Sequence, residues 1–303
     1  MDLVQEINRL KKEKNAIILT HCYQNVEIDV VSDFVGDSLY LSEMAAKTDA
    51  DIIVFAGVYF MAQSAKLLSP DKKFLLPRIN SGCLMADMID VQKLTQFKAQ
   101  HPNIPTVCYI NSTAEIKANC DICCTSSNAI EIVKGLNVDE VLFVPDTYLG
   151  KYVESKLKNV KVITFNGYCP THLRIRQEDI IEARKRYPNA KILAHPECHH
   201  EVAKLADFVG STKEIMDYSF KSTSKQFVIA TEKGVVDRLN RDLNKEGKEF
   251  ILINENITCP DMKKNTLKDI YEVLLNETNE ITIEETVAKK AKACIEKMFT
   301  LNL

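Results

Sequence analysis

Three stretches of the chain nearly rhyme: SDFVGDSLYLSEMA (Ser32–Ala45), CDICCTSSNAIEIV (Cys120–Val133) and ADFVGSTKEIMDY (Ala206–Tyr218). Each carries an aspartate, Asp33, Asp121 or Asp207, followed five residues later by Ser38, Ser126 or Thr212. The interval between copies is about 87 residues, and self-similarity at a fixed period marks a repeated supersecondary unit. Working backwards from each aspartate, an apolar run ends on a polar side chain: AIILTH at His21, TVCYIN at Asn111, KILAH at His195. Working forwards come a second apolar run (ADIIVFAG, DEVLFVPD, KQFVIATE) and an amphipathic stretch (VYFMAQSAKLLS, TYLGKYVESKLK, GVVDRLNRDLNK). A last strand-like run (KKFLLPR, VKVITF, EFILIN) leads to Cys83, Cys169 or Cys259.

Each unit therefore reads strand, helix, short strand, helix, strand, helix, strand, cysteine, with a helix leading in. Short β-branched runs alternating with helical patterns predict parallel sheets covered on both faces. The expected fold is α/β: three similar three-layer α/β/α domains, residues 1–87, 88–175 and 176–303, arranged about a pseudo-threefold axis. The stretch from about Met262 onward is expected to form helices that cap the third unit.

Composition narrows the functional classes. Hydrophobic residues make up 46% and charged residues 27%, as in ordinary globular chains. Lys plus Arg is 39 against 42 for Asp plus Glu, a net charge of −3 that offers no footprint for nucleic acid or an anionic membrane. MDLVQEINRLKKEKN reads as a charged amphipathic helix, not a signal peptide, and the longest nearly apolar run, IIVFAGVYFMA, is too short to span a bilayer. Ten cysteines are too sparse for a disulfide scaffold, so a cytoplasmic chain with reduced thiols is expected. With nine glycines and neither G-x-G-x-x-G nor G-x-x-x-x-G-K, dinucleotide and P-loop readings lose their main support.

In open parallel sheets ligands bind beyond the carboxyl ends of the strands. If the units converge, the repeated positions become rings. His21, Asn111 and His195 form the first, extended by Tyr23, Tyr109 and Glu197, a set able to exchange protons and orient carboxylates. Ser38, Ser126 and Thr212, with Ser127 and Ser211 alongside, form the second; as hydroxyls at helix starts they read either as N-caps or as an anion site. Cys83, Cys169 and Cys259 form the third. Three thiolates so far apart in sequence meet only in a folded site, either on a [4Fe–4S] cluster with one open iron or on zinc with a water.

Other patterns carry less. Cys120, Cys123 and Cys124 resemble a cluster motif, yet Cys123 and Cys124 align with Val35 and Gly36 and with Val209 and Gly210, as packing residues of a short buried strand. His200-Glu201 lacks a second histidine at position 204, leaving a metalloprotease pattern half complete. Cys22, Cys108, Cys198 and Cys294 have no in-phase counterparts and read as core or supporting residues.

Taken together, I-I-L-x-H-x-Y at His21–Tyr23, D-F-V-G-D-S, Y-x-N-S-T at Tyr109–Thr113, C-T-S-x-N-A at Cys124–Ala129, G-x-C-P-x-H at Gly167–His172, H-P-E-C at His195–Cys198 and M-K-K-N-T after Cys259 resemble the quinolinate synthase family over essentially the whole chain. The resemblance implies an oxygen-sensitive [4Fe–4S] cluster on Cys83, Cys169 and Cys259, whose fourth iron takes substrate. It implies condensation of iminoaspartate with dihydroxyacetone phosphate to quinolinate, phosphate and two waters in NAD biosynthesis. It also implies a transient partner in an aspartate-oxidising enzyme, and no nucleic acid or membrane partner. Matching positions would line the site: His21, Tyr23, Ser38, Tyr109, Asn111, Ser126, His172, His195, Glu197, Ser211 and Thr212. Among these, Glu197 and Tyr23 are the foremost acid–base candidates, with Tyr109, His21 and His195 beside them. Cys22, where the family usually has Asn, and Leu84, where Pro is common, are departures next to site residues. The rival readings are another [4Fe–4S] hydro-lyase and a non-enzymatic iron–sulfur sensor.

Overall fold

The computed structural model describes residues 2–301. The first repeat runs α1 (Leu3–Glu13), β1 (Ala16–His21), β2 (Phe34–Gly36), α2 (Ser38–Lys47), β3 (Ile52–Ala56), α3 (Tyr59–Leu68) and β4 (Lys73–Leu75). The second runs α4 (Val91–Ala99), β5 (Thr106–Tyr109), α5 (Ala114–Lys117), β6 (Ile122–Cys124), α6 (Ala129–Gly135), β7 (Glu140–Val144), α7 (Thr147–Lys156) and β8 (Lys161–Thr164). The third runs α8 (Gln177–Arg186), β9 (Lys191–Ala194), α9 (His200–Leu205), β10 (Phe208–Val209), α10 (Thr212–Lys221), β11 (Gln226–Ala230), α11 (Lys233–Leu243) and β12 (Glu249–Leu252). Two helices follow, α12 (Leu267–Asn276) and α13 (Glu285–Thr300).

The three sheets share one strand order: β2-β1-β3-β4, β6-β5-β7-β8 and β10-β9-β11-β12. This is a parallel α/β fold of three similar domains, as the period predicts. In each sheet the order reverses between its first and third strands, which opens a crevice at their carboxyl ends. His21 ends β1, opposite Gly36 of β2, and His195 directly follows β9, its N–H donating to the Ala230 carbonyl of β11 at 3.2 Å.

The rhyming aspartates have a structural cause. The Asp33 carboxylate accepts the Ile18 N–H at 2.8 Å, and the Asp33 N–H donates to the Ile18 carbonyl at 2.9 Å. Asp207 does the same with Ile192, at 2.7 and 2.8 Å. A base from the lead-in helix then pairs with each carboxylate: Lys11 with Asp33 at 2.8 Å, Arg184 with Asp207 at 2.7 Å. The aspartate thus fixes the register of a strand only two or three residues long, which has few ladder bonds of its own.

The chain divides into two compact units, one comprising residues up to Leu94 with Ile110–Cys123 and Pro260–Thr300, the other Thr95–Tyr109 with Cys124–Cys259. The first unit corrects the expectation that the C-terminal helices cap the third repeat. Ile270, Val273 and Leu274 of α12 join Ile7, Leu10, Ile18 and Val54 in the core of the first repeat, and α13 packs on α3 and α5. The physical reason is complementary stripes: α1 buries Ile7 and Leu10 and needs an apolar partner, which α12 supplies. In the second unit, Ile180, Ala183, Ile192, Val202, Val228 and Ile257 form the corresponding core of the third repeat. Cys123 and Cys124 lie fully buried in β6, in packing positions as their alignment indicates. No helix among the described residues is long and apolar enough to cross a membrane.

Candidate active site

In the second unit the polar groups gather on Glu197. This residue follows β9, in the loop that begins at His195, and is 3% exposed. The Tyr109 hydroxyl, at the end of β5, donates to Glu197 Oε1 at 2.6 Å. His172 Nδ1 lies 2.8 Å from Glu197 Oε2, and His172 Nε2 lies 2.8 Å from the Thr231 hydroxyl, just beyond β11. A carboxylate only accepts, so the His172 proton sits on Nδ1 and, in the neutral ring, Nε2 accepts from Thr231. The result is a continuous chain Tyr109–Glu197–His172–Thr231, in which a buried imidazole oriented by a carboxylate faces an alcohol.

His195 lines the same group. Its ring stacks on His172 with centroids 4.8 Å apart, and its Nδ1 accepts the Glu197 N–H at 3.3 Å. The accepting nitrogen carries no proton, so Nε2–H is left to donate. Burial pushes the His195 pKa down to about 3; the Glu197 charge opposes this and His172 adds to it. Glu197 experiences two opposed effects. Burial raises its pKa, but His172, His195 and the hydrogen bonds from His172 and Tyr109 outweigh burial and hold the carboxyl below its usual range. Cys198, packed behind, is pushed up by burial and the Glu197 charge, which keeps it a thiol.

A second carboxyl stands near. Asp146, at the start of α7, is fully buried; its Oδ1 accepts from the Tyr148 and Leu149 N–H groups at 2.7 and 2.9 Å, whereas Oδ2 has no partner among the described residues. Burial and then the charge of Glu197 raise its pKa well above the usual carboxylate range, against the two N–H bonds. The two carboxyls are thus driven apart: Glu197 is the one held ionised, and Asp146 the one that keeps its proton to higher pH.

In the first unit His21 repeats the geometry of His195. Its Nδ1 accepts the N–H of Tyr23, two residues on, at 3.1 Å, and the two rings meet edge-on at 4.8 Å. The Tyr23 carbonyl accepts from Lys263 Nζ at 2.6 Å. Ser38 opens α2, and Asn111 lies two residues past β5.

The hydroxyls differ from the cap expectation. The N-caps are Asp37, Asn128 and Ser211, so Ser38 and Thr212 stand one position inside their helices and Ser126 two before its cap. A carboxylate or Ser211, one step earlier with extended ψ, reaches the third N–H better than a residue already helical. Ser211 is committed to a capping box: its hydroxyl accepts the Glu214 N–H at 3.3 Å and its own N–H donates to Glu214 at 2.7 Å.

The three in-phase cysteines are hooked alike. The N–H at the start of the preceding helix donates to the carbonyl two residues before each: Tyr59 to Ser81 at 2.8 Å, Thr147 to Gly167 at 2.8 Å, Lys233 to Ile257 at 2.9 Å. At Gly167 a Cβ would lie 2.5 Å from the Pro145 carbonyl oxygen, so the hook there requires glycine. The Cys259 N–H also donates to Glu232 at 3.1 Å. Four thiols are partly accessible, Cys83, Cys120, Cys169 and Cys259, while the other six are buried; no disulfide links the described residues. Soft, reduced, accessible thiols on equivalent loops fit the donor set of an iron–sulfur cluster. Cys169 also borders this buried polar group: its sulfur lies 3.2 Å from His172 Nδ1, and ligand atoms of Cys169, His172 and Glu197 all fall within 4.8 Å of one another.

The family described as quinolinate synthetase A protein matches residues 5–300. The chain belongs to the quinolinate synthetase A family. It is similar to proteins named quinolinate synthase: 49% identical over 300 residues to that of Alkaliphilus metalliredigens, covering 99% of this chain and 98% of the relative. The Clostridioides difficile protein is 47% identical over 290 residues, with 96% and 95% covered, and that of Caldicellulosiruptor saccharolyticus 46% over 298 residues, with 98% of each. As a member of the quinolinate synthetase A family the chain is an enzyme, and Tyr109, His172, His195 and Glu197 form a buried group suited to proton transfer. Sequence reasoning missed Thr231, Asp146 and Glu232. Thr231 follows the third strand of its sheet, where the other repeats have Gly57 and Pro145, so a search for repeated polar positions passes over it.

Proposed function

We propose that this enzyme condenses iminoaspartate with dihydroxyacetone phosphate to quinolinate, phosphate and two waters, as a cytosolic step of NAD biosynthesis, with Cys83, Cys169 and Cys259 holding a [4Fe–4S] cluster. The observation that carries this reading is the buried chain Tyr109–Glu197–His172–Thr231 beside Cys169. When bound, the cluster would supply an open iron as a Lewis acid for a leaving hydroxyl. All other roles belong to the protein. The condensation needs protons removed from carbon and nitrogen and delivered to leaving oxygens. Glu197, ionised at neutral pH, is the base; the Tyr109 hydroxyl and the Thr231 hydroxyl at either end of the chain pass protons in and out through Glu197 and His172. His195 and His21 offer Nε2–H or its equivalent to substrate carboxylates, with Asn111 assisting. Ser38, Ser126 and Thr212, whose hydroxyls do not serve as the caps of their helices, receive phosphate or a carboxylate near free helix N–H groups. Tyr23 remains an acid–base candidate beside His21.

The test is anaerobic purification with iron and sulfide analysis, then an assay for quinolinate from the two substrates. About four irons per chain are expected, with the cluster lost on changing Cys83, Cys169 or Cys259 to Ala and kept on changing Cys123 or Cys124. Retention after Cys169→Ala would overturn the ligand assignment. A second reading, a single zinc on Cys169, His172 and Glu197, draws on the proximity of those three side chains. One zinc and no sulfide per chain would favour it.

A further inference from the structure

The in-phase cysteines share a local signature beyond their spacing: each is preceded three residues earlier by asparagine, as Asn80-x-x-Cys83, Asn166-x-x-Cys169 and Asn256-x-x-Cys259. In two of these loops the asparagine carbonyl is held by a cation from elsewhere in the chain. Arg174 Nη1 donates to the Asn256 carbonyl at 3.1 Å, with the Thr258 carbonyl at 3.5 Å. Lys264 Nζ donates to the Asn80 carbonyl at 2.7 Å, while pairing with Asp261 at 2.6 Å. The two cations stand at the same register: Arg174 is five residues after Cys169, and Lys264 five after Cys259. Each cation therefore leaves one cysteine loop and grips the next at the same atom. At the third such position stands Met88, which has no side-chain donor. The Cys169 loop has, besides the N–H hook common to all three loops, a bond from the Thr147 hydroxyl to the Phe165 carbonyl at 2.5 Å.

We propose that Arg174 and Lys264 are positioning residues that set the Cys259 and Cys83 loops for cluster binding, each by a charge-assisted bond to the carbonyl three residues before the thiol. The inference rests on the cluster reading above. A loop outside any strand has no ladder to define where its thiol points, and a charge-assisted bond to its main chain is stronger than a neutral one. Neighbours that orient metal ligands commonly change metal affinity by about 10- to 100-fold when removed.

The experiment compares Arg174→Met, Lys264→Met and the double variant with the unaltered protein, with Lys292→Met on α13 as a control for loss of a surface charge and Arg174→Lys as a partial rescue. After anaerobic reconstitution, iron and sulfide per chain are counted. The decay of visible absorbance is then followed with an iron chelator in excess, and thermal unfolding is measured on the metal-free protein. The expected result is cluster loss about 10-fold faster or more in each Met variant, still faster in the double variant, and intermediate with Arg174→Lys. Metal-free unfolding should match that of Lys292→Met. Decay at the unaltered rate in both variants overturns the inference, as does a fall in metal-free stability large enough to accompany the loss of cluster, which assigns both residues to folding alone. An unaltered protein that takes up no iron and sulfide overturns the cluster reading itself, and this inference with it.

Discussion

The first and third domains are built from the same parts and end in different chemistry. In both, an aspartate hooks a short edge strand, a lead-in helix supplies its counter-ion, and a strand-end histidine accepts the N–H of the residue two positions on. In the first domain that residue is Tyr23, packed edge-on to its histidine; in the third it is Glu197, buried and hydrogen-bonded to a tyrosine and a second histidine. The scaffold positions a side chain at that point, and the residue type decides whether it is a neutral phenol or a buried carboxylate.

That contrast can be tested by removing its parts. Glu197→Gln keeps the shape of the side chain and removes the carboxylate proposed as base, so turnover should fall by about 10²- to 10⁴-fold with iron content unchanged; steady-state kinetics on the reconstituted enzyme give the number. Full turnover would move the base elsewhere, with Tyr23 the first alternative.

Next comes the pH dependence of stability. His195 has its folded pKa lowered to about 3, so the unfolded chain takes up a proton below about 6.5 while the folded chain does not. Stability should therefore fall with acidification across that window, at about 1.4 kcal/mol per pH unit from this group. Denaturant unfolding between pH 7 and 4 should show this slope, reduced in His195→Gln.

The shared scaffold gives smaller effects. Asp33→Ala and Asp207→Ala each leave a strand N–H without its acceptor, and each should cost about 1–3 kcal/mol by denaturant unfolding. Unequal losses would mean that the two domains do not rely on the hook alike. Last comes Asp146→Asn. The folded chain keeps this proton after the unfolded chain has released it, so the carboxyl destabilises as pH rises above its unfolded value, and Asn retains the cap. Denaturant unfolding should show the variant more stable than the unaltered protein near pH 8, with the difference vanishing toward pH 4.

Much of this was legible in the residues, for reasons that differ by feature. Strand and helix follow from periodicities of two and 3.6 that persist through each run, so AIILTH, QFVIA and GVVDRLNRDL reveal their states locally. Asp33 and Asp207 were visible as a rhyme, though their task, holding Ile18 and Ile192, was not. The hydroxyl caps were misplaced by one or two positions because Asp37 and Ser211 compete for the same N–H groups as the residues after them. The helices after Met262 were assigned to the wrong neighbour because an apolar stripe says that a helix needs a partner, not which one.

By itself the sequence determined the threefold repeat, the parallel α/β architecture and the three cysteines that keep its phase, because each is written in spacing that survives without coordinates. Only the tertiary structure decided that Thr231 meets His172 and that Tyr109 meets Glu197, contacts that span 59 and 88 residues. It also decided that Asp146 is the carboxyl whose pKa is raised by burial and the Glu197 charge, and that Lys264 returns to grip the loop of Cys83. These are meetings between loops at strand ends, where no periodic pattern constrains the side chain and where distance, burial and the neighbouring charge set its chemistry.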